Sequence, residues 1–239
     1  SGLRVIHEVL NGPRGWKSAW RDPIPQKEYD ILIVGGGGHG LATAHYLASK
    51  FNITSVAVIE KGWIGGGNVG RNTTIIRSNY LLDGNEPFYE FSLKLWEGLE
   101  QDVNYNAMVS QRGILNLIHT DGQRDAYRRR GNAMILNGAD AESLSAEQVR
   151  AECPFLNFDN NRFPIKGGLA QRRGGTVRHD AVAWGYARSA DSFGVDIIQN
   201  CEVSGFRINN GKCSGVETSK GFIGAKKVGV AVCLLYTSD

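Results

Sequence analysis

The tightest constraint on this chain is the run from Tyr29 to Arg77, YDILIVGGGGHGLATAHYLASKFNITSVAVIEKGWIGGGNVGRNTTIIR. An apolar stretch over 31–34 ends in glycine, as a strand buried on both faces does. Gly35, Gly37 and Gly40 then fit G-x-G-x-x-G where a strand gives way to a helix. The first glycine permits the tight turn, the second lets backbone approach a pyrophosphate, and the third lets helix and strand pack closely. A helix is expected over 39–51, with Leu41, Ala44 and Leu47 on the sheet, and a second strand over 56–59 ends at Glu60. Together these make a βαβ unit. The helix N-terminus offers free N–H groups and a partial positive charge to phosphate. Glu60 lies twenty positions after Gly40; a carboxylate there can accept bonds from ribose hydroxyls and repels a 2′-phosphate, which argues against NADP. Gly35, Gly37, Gly38, His39, Gly40, Glu60 and Lys61 are thus candidate cofactor-binding residues. The bland alternative is that the glycines only make a tight crossover turn.

A second glycine loop, 65–72, follows the acid directly. An NAD domain needs no such loop at that point. A flavin needs backbone donors near its ring and phosphates, and a glycine turn opening a helix supplies them. Gly67, Gly70, Arg71, Asn72 and Thr73 join the candidate set, with Arg71 placed to neutralise phosphate charge. A mobile surface loop is the other reading. Together the two loops favour FAD over NAD.

Beyond the loops, residues 72–80 are expected to continue as a helix. An amphipathic helix follows over 86–102, with Phe88, Phe91, Leu95, Trp96 and Leu99 on one stripe. A strand over 113–119 and a polar helix over 121–137 come next. Ser145 and Gln148 resemble a capping box before a short helix that stops at Pro154. A strand over 167–171 precedes a helix over 180–193 whose packing face is Ala183, Tyr186, Ala187 and Ala190. Short strands are expected over 195–198, 202–208, 215–218, 221–225 and 226–232. Residues 1–28 form a turn-rich arm in which Trp16 and Trp20 suggest docking, with a floppy leader as the alternative.

A formal charge of +3 is too mild to imply nucleic acid, and the basic runs 128–130 and 172–173 lack interleaved aromatics, so they read as solvated surface. The four cysteines form neither a C-x-x-C pair nor a disulfide-like framework. With no apolar run of membrane-spanning length and no signal pattern, the expectation is a soluble, cytoplasmic protein. No H-E-x-x-H, Cys/His cluster or G-x-S-x-G elbow suggests a metal site or a hydrolase.

Five stretches carry a family resemblance: GWKSAWRDP, YDILIVGGGGHGLATAHYLA, GGGNVGRNTTIIRSNYL, GGTVRHDAVAWGYARSA and GVETSKGFIGAKKVGV. They resemble the beta subunits of heterotetrameric sarcosine oxidases, in the D-amino-acid oxidase/glycine oxidase group of flavoproteins, over nearly the whole chain to about Val230. The resemblance implies an α/β fold: a Rossmann-like FAD-binding domain of glutathione-reductase type with an inserted α+β substrate domain, truncated at the C-terminus. The implied division is an arm at 1–28, FAD-domain segments at 29–108 and 167–232, a substrate-domain segment at 109–166 and an unmatched tail at 233–239. It also implies noncovalent FAD at the two loops and Glu60, with Val203 among the contacts, and FMN attached covalently to His179 in Gly-Gly-Thr-Val-Arg-His-Asp. His179 precedes a helix, and Arg172, Arg173 and Arg178 nearby are expected to help hold the FMN phosphate. The side chains of His7, His39, His45 and His119 lack such a match and read as structural. By resemblance to related amine oxidases, Arg77 pairs with the substrate carboxylate, and a guanidinium fork suits that task.

The implied activity is oxidation of sarcosine to glycine, yielding hydrogen peroxide and formaldehyde, or methylenetetrahydrofolate when tetrahydrofolate is supplied at a partner subunit. The implied partners are alpha, gamma and delta subunits, with FMN at the alpha–beta contact. The chain departs from the family after GAKKVGV, so a fragment with an unrelated tail from about Cys233 is expected, inactive alone. Two other readings remain: a single-chain FAD-dependent D-amino-acid or glycine dehydrogenase, and a non-catalytic flavin-binding assembly subunit.

Overall fold

The computed structural model describes residues 2–12, 19–80, 84–159 and 162–232. Trp16 and the tail from Cys233 lie outside them. Helix α1 (Gly2–Asn11) precedes strand β1 (Glu28–Val34), helix α2 (Gly38–Phe51) and strand β2 (Val56–Ile59). β1 and β2 run parallel, with Ile31 opposite Val56 and Val34 opposite Ile59, so the βαβ unit forms where the pattern placed it. Their side chains alternate between faces. Ile33, Val56 and Val58 pack with Leu41 and Ala44 of α2, while Leu32, Val34, Ala57 and Ile59 enter a core on the other face.

Further along come the one-turn helix 68–71, β3 (Ile75–Ile76), α3 (Glu86–Val103), β4 (Ile114–Ile118), α4 (Asp121–Leu136), β5 (Glu142–Ser145) and α5 (Ala146–Glu152). Then follow β6 (Gly167–Gln171), β7 (Gly175–Thr176), α6 (His179–Ser192), β8 (Asp196–Ile198), β9 (Val203–Asn209), β10 (Lys212–Thr218) and β11 (Gly221–Val230). The large sheet has the order β8-β2-β1-β11-β10-β9, and α2 packs beside α6 against it. A second sheet has the order β4-β6-β5, and β3 pairs with β7. The capping box at Ser145 and Gln148 forms, and another caps α4 through Thr120 and Gln123.

Several expectations are corrected. Residues 72–80 are not helical. The Asn72 side chain accepts the Thr74 N–H at 2.7 Å, Thr74 takes a φ of 63°, and the β-branched pair Ile75–Ile76 joins a ladder with Gly175 and Thr176. The expected stripe on α3 is buried only in its second half: Leu99 is buried and Trp96 packs on the core, but Phe88 and Phe91 are exposed, and Glu86, Glu90, Leu93 and Val103 complete the buried face. Glu90 can face inward because Ser78 and Arg173 supply its partners. The strands expected at 221–225 and 226–232 are one strand, β11. Its start pairs antiparallel with β10 and its remainder parallel with β1, and the two lysines that interrupt the apolar run lie on the surface. Strand β6 is the centre of the small sheet, so a domain boundary at 166/167 would cut that sheet from its middle strand.

The arm is partly helical, since α1 occupies its start with Val5, Ile6, Val9 and Leu10 exposed. Its later part docks. Trp20 meets Trp184 edge-on at 5.2 Å, and Arg21 pairs with Asp191 and with Asp196, the latter at 3.0 Å. No helix among the described residues is long and apolar enough to cross a membrane.

Candidate cofactor and substrate site

The first glycine turn lies at the carboxyl ends of β1 and β11. Gly35 has a φ of 114°, and a Cβ there would stand 2.5 Å from the Ala231 carbonyl oxygen. A Cβ on Gly40 would stand 1.9 Å from the Gly35 carbonyl oxygen. These two glycines make the turn and the close helix approach. Gly37 differs, because its nearest neighbour would be Val69 Cγ2 at 3.7 Å. The space outside its backbone is open. No side chain caps α2 at Gly37, so the N–H groups of the first turn face outward without intrahelical acceptors.

Glu60 braces the first turn against the segment that leads to the second. Its Oε2 accepts the Gly36 N–H at 2.8 Å and its Oε1 accepts the Gly62 N–H at 2.8 Å. Each carboxylate oxygen retains lone pairs for ribose hydroxyls. The second turn is joined to the first by the Gly65 N–H, which donates to the Gly36 carbonyl at 3.0 Å. It closes on itself through Gly70 N–H to Gly65 O, also 3.0 Å. Arg71, Asn72, Thr73, Lys61 and His39 are exposed around this opening. Val203 begins β9, beyond a loop anchored by Cys201 N–H to Glu60 O at 2.9 Å.

His179 opens α6, half-buried, and its Nδ1 is buried without a hydrogen-bond partner. Ala183, one turn along the same helix face, would contact a Cβ on Gly65 at 3.2 Å. The Val177 N–H donates to Thr74 O at 2.9 Å. His179 and the second glycine turn therefore belong to one locality. The three arginines expected to help hold an FMN phosphate do not converge as free cations. Arg178 pairs with Asp180, Arg172 with Glu142 and Glu152, and Arg173 with Glu90 and Glu97. Each basic side chain satisfies a nearby acid first. The structural reading of two other histidines is consistent with their contacts: buried His45 meets Ser189 Oγ at 2.9 Å, and His119 meets the Pro164 carbonyl at 3.1 Å.

Arg77 follows β3, half-buried, with its guanidinium 5.1 Å from the centroid of the Tyr80 ring. The next residue, Ser78, is fully buried and bonded to Gln171 and Glu90. Arg130 reaches the same segment, donating to the Asn79 carbonyl oxygen, and sequence reasoning did not place it there. The run 128–130 reads as solvated surface, and Arg128 and Arg129 are exposed, but helical rotation turns Arg130 inward beside buried Gly131. Burial, and then the neighbouring Arg77 charge, push the Arg130 guanidinium below its ordinary pKa. The only available signal was its spacing to Met134, one turn further on the buried face.

Residues 30–235 match the family described as FAD dependent oxidoreductase. The chain belongs to that family. This FAD-dependent oxidoreductase is 70% identical over 231 residues to "Sarcosine oxidase subunit beta" of Rhizobium meliloti, covering 97% of this chain and 56% of that protein. It is 55% identical over 213 residues to the protein of the same name from Arthrobacter sp, covering 89% and 53%. The chain thus spans about half the length of the curated relatives it matches. Among solved structures, L-proline dehydrogenase from P.horikoshii superposes with a TM-score of 0.80 at 27% identity, over 87% of this chain and 53% of that one. Glycine oxidase from Bacillus cereus gives 0.74 at 25% identity, over 85% and 55%. The residues present fit an FAD. The uncapped helix end, the open backbone at Gly37 and the spare acceptors of Glu60 are the three contacts that its pyrophosphate and ribose require.

Proposed function

We propose that this chain belongs to the beta subunit of an FAD- and FMN-containing sarcosine oxidase, a cytoplasmic enzyme assembled with alpha, gamma and delta subunits. The observation that carries the reading is the 70% identity, across 97% of the chain, to a protein named as that subunit. The products are glycine, hydrogen peroxide and formaldehyde, or methylenetetrahydrofolate where tetrahydrofolate reaches a partner subunit. Residues 29–108 and 172–232 contribute chiefly to the FAD-binding domain, and 109–171, which hold all three strands of the small sheet, to the substrate domain.

When bound, the flavins would supply the redox chemistry of amine oxidation, with oxygen as acceptor. The chain's own residues bind and orient. Backbone N–H groups at Gly37–His39 receive the pyrophosphate, and Glu60 receives the ribose. Gly67, Gly70, Arg71, Asn72 and Thr73 receive the flavin side, with Gly35, Gly38, Gly40, Lys61 and Val203 completing the surround. Arg77 anchors the substrate carboxylate, which orients the neutral amine and its methyl group. His179 is the attachment point for FMN, and its buried, unpartnered Nδ1 supports that role.

Two measurements on the enzyme assembled with its partners test the reading. Peroxide should appear when sarcosine is added. After acid precipitation, yellow colour should remain with the protein and disappear in His179→Ala. No peroxide refutes the activity, and colour that washes away from the unsubstituted protein refutes covalent FMN.

A further inference from the structure

Arg77 and Arg130 come from different elements and meet around Asn79. The Arg130 Nη2 donates to the Asn79 carbonyl oxygen. Arg77 lies over Tyr80, which stacks on Tyr89 with centroids 3.6 Å apart. Arg130 lies 5.8 Å from the centroid of Tyr127. Each guanidinium thus lies by an aromatic ring of its own, and the two are close enough for the Arg77 charge to act on Arg130.

Neither forms an ion pair with a carboxylate among the described residues, whereas Arg21, Arg172, Arg173, Arg178 and Arg207 all do. The Arg130 Nε is buried and has no hydrogen-bond acceptor. Two like charges drawn together, one with a buried unpaired donor, are unfavourable unless an anion joins them. The depressed Arg130 pKa points the same way.

We propose that Arg77 and Arg130 together grip the carboxylate of the amino-acid substrate, Arg130 being a second binding residue beside Arg77. The inference rests on the reading of Arg77 as carboxylate anchor. A planar carboxylate accepts forked bonds from a guanidinium, and its second lone pairs serve the other cation. The contact to the Asn79 carbonyl holds Arg130 in place.

The test uses the enzyme assembled with its partner subunits, and acetate as a probe carrying only the carboxylate. Acetate affinity is read by calorimetry at constant ionic strength, and sarcosine turnover by peroxide release. Arg130→Met should weaken acetate by about tenfold or more and raise KM for sarcosine by a similar factor. Arg130→Lys should recover only part of the affinity, because an ammonium lacks the fork. Acetate affinity and KM unchanged in Arg130→Met, but lost in Arg77→Met, would overturn the role of Arg130 and leave the anchor reading intact. Both variants unchanged would overturn the anchor reading as well. Inorganic phosphate binding more tightly than acetate, and released by Arg130→Met, would overturn carboxylate recognition. Should Arg130→Met fail to assemble, Arg130→Lys decides, and wild-type acetate affinity in it refutes the fork.

Discussion

Gln171 and Ser78 hold each other by two hydrogen bonds: the Ser78 N–H donates to Gln171 Oε1 at 3.1 Å, and Gln171 Nε2 donates to Ser78 Oγ at 2.6 Å. Both residues are fully buried. The Ser78 hydroxyl donates onward to Glu90 at 2.9 Å, and Gln171 Nε2 also donates to Asp140 at 3.2 Å. Gln171 ends the central strand of the small sheet, while Ser78 follows Arg77 on the segment leading from the glycine turns. This pair therefore fixes the backbone that carries Arg77. Gln171→Ala leaves the buried Ser78 N–H without its acceptor, at a cost of about 1–3 kcal/mol. A urea midpoint lowered at unchanged slope would show it. An unchanged midpoint would mean that the network is dispensable.

The glycines of the first turn separate into two roles, and substitution should tell them apart. Gly40→Ala places a Cβ 1.9 Å from the Gly35 carbonyl oxygen. The helix must move, so both thermal stability and FAD retention should fall. Gly37→Ala meets nothing closer than 3.7 Å. Its FAD-free form should melt within about a degree or two of the unsubstituted protein, a surface-like perturbation. Its Cβ still occupies the space a pyrophosphate needs, so FAD affinity should drop. Equal loss of FAD-free stability in both variants would contradict the distinction.

Tyr29 predicts an alkaline limit to stability. Its hydroxyl is buried and donates to Asp196 Oδ2 at 2.9 Å. Burial is the main cause that pushes its pKa from 10.0 up to about 12, and the Asp196 contact adds to it. A folded-state pKa above the unfolded value means that the phenol stabilises fully below pH 10.0 and loses that contribution as pH rises through about 12. Denaturation midpoints across that window should fall more steeply for the unsubstituted protein than for Tyr29→Phe. Parallel curves would show that another group sets the limit.

The βαβ unit was legible because its determinants are local. A glycine turn, an uninterrupted apolar run and an acid at the strand end each declare themselves within a few positions. The capping box at Ser145 was legible for the same reason. Glu90 was not, because a buried carboxylate on α3 makes sense only once Arg173 and Ser78 arrive from distant segments. Nor was the continuity of β11, whose partner changes from β10 to β1 part-way while two lysines mask the apolar run. Arg130 was hidden in a basic run whose other members are solvated. The family motifs named His179 and Arg77, but not the acids that occupy Arg172, Arg173 and Arg178.

Glu60 is the residue on which the cradle turns, and its charge can be removed with little change of shape. The carboxylate accepts one N–H from each side, from Gly36 and from Gly62. In Glu60→Gln one oxygen becomes an amino group, so one of these N–H groups faces a donor in place of an acceptor. The loop must open on that side, and a ribose hydroxyl loses a charge-assisted bond. FAD affinity should fall by about tenfold to a hundredfold, or roughly 1.4–2.8 kcal/mol. Quenching of FAD fluorescence on titration into deflavinated protein measures it directly. Because the acid contacts backbone in the first turn and at Gly62, ahead of the second, the same variant should also lower the melting temperature of the FAD-free protein. An unchanged dissociation constant would place the ribose elsewhere and remove Glu60 from the cofactor site.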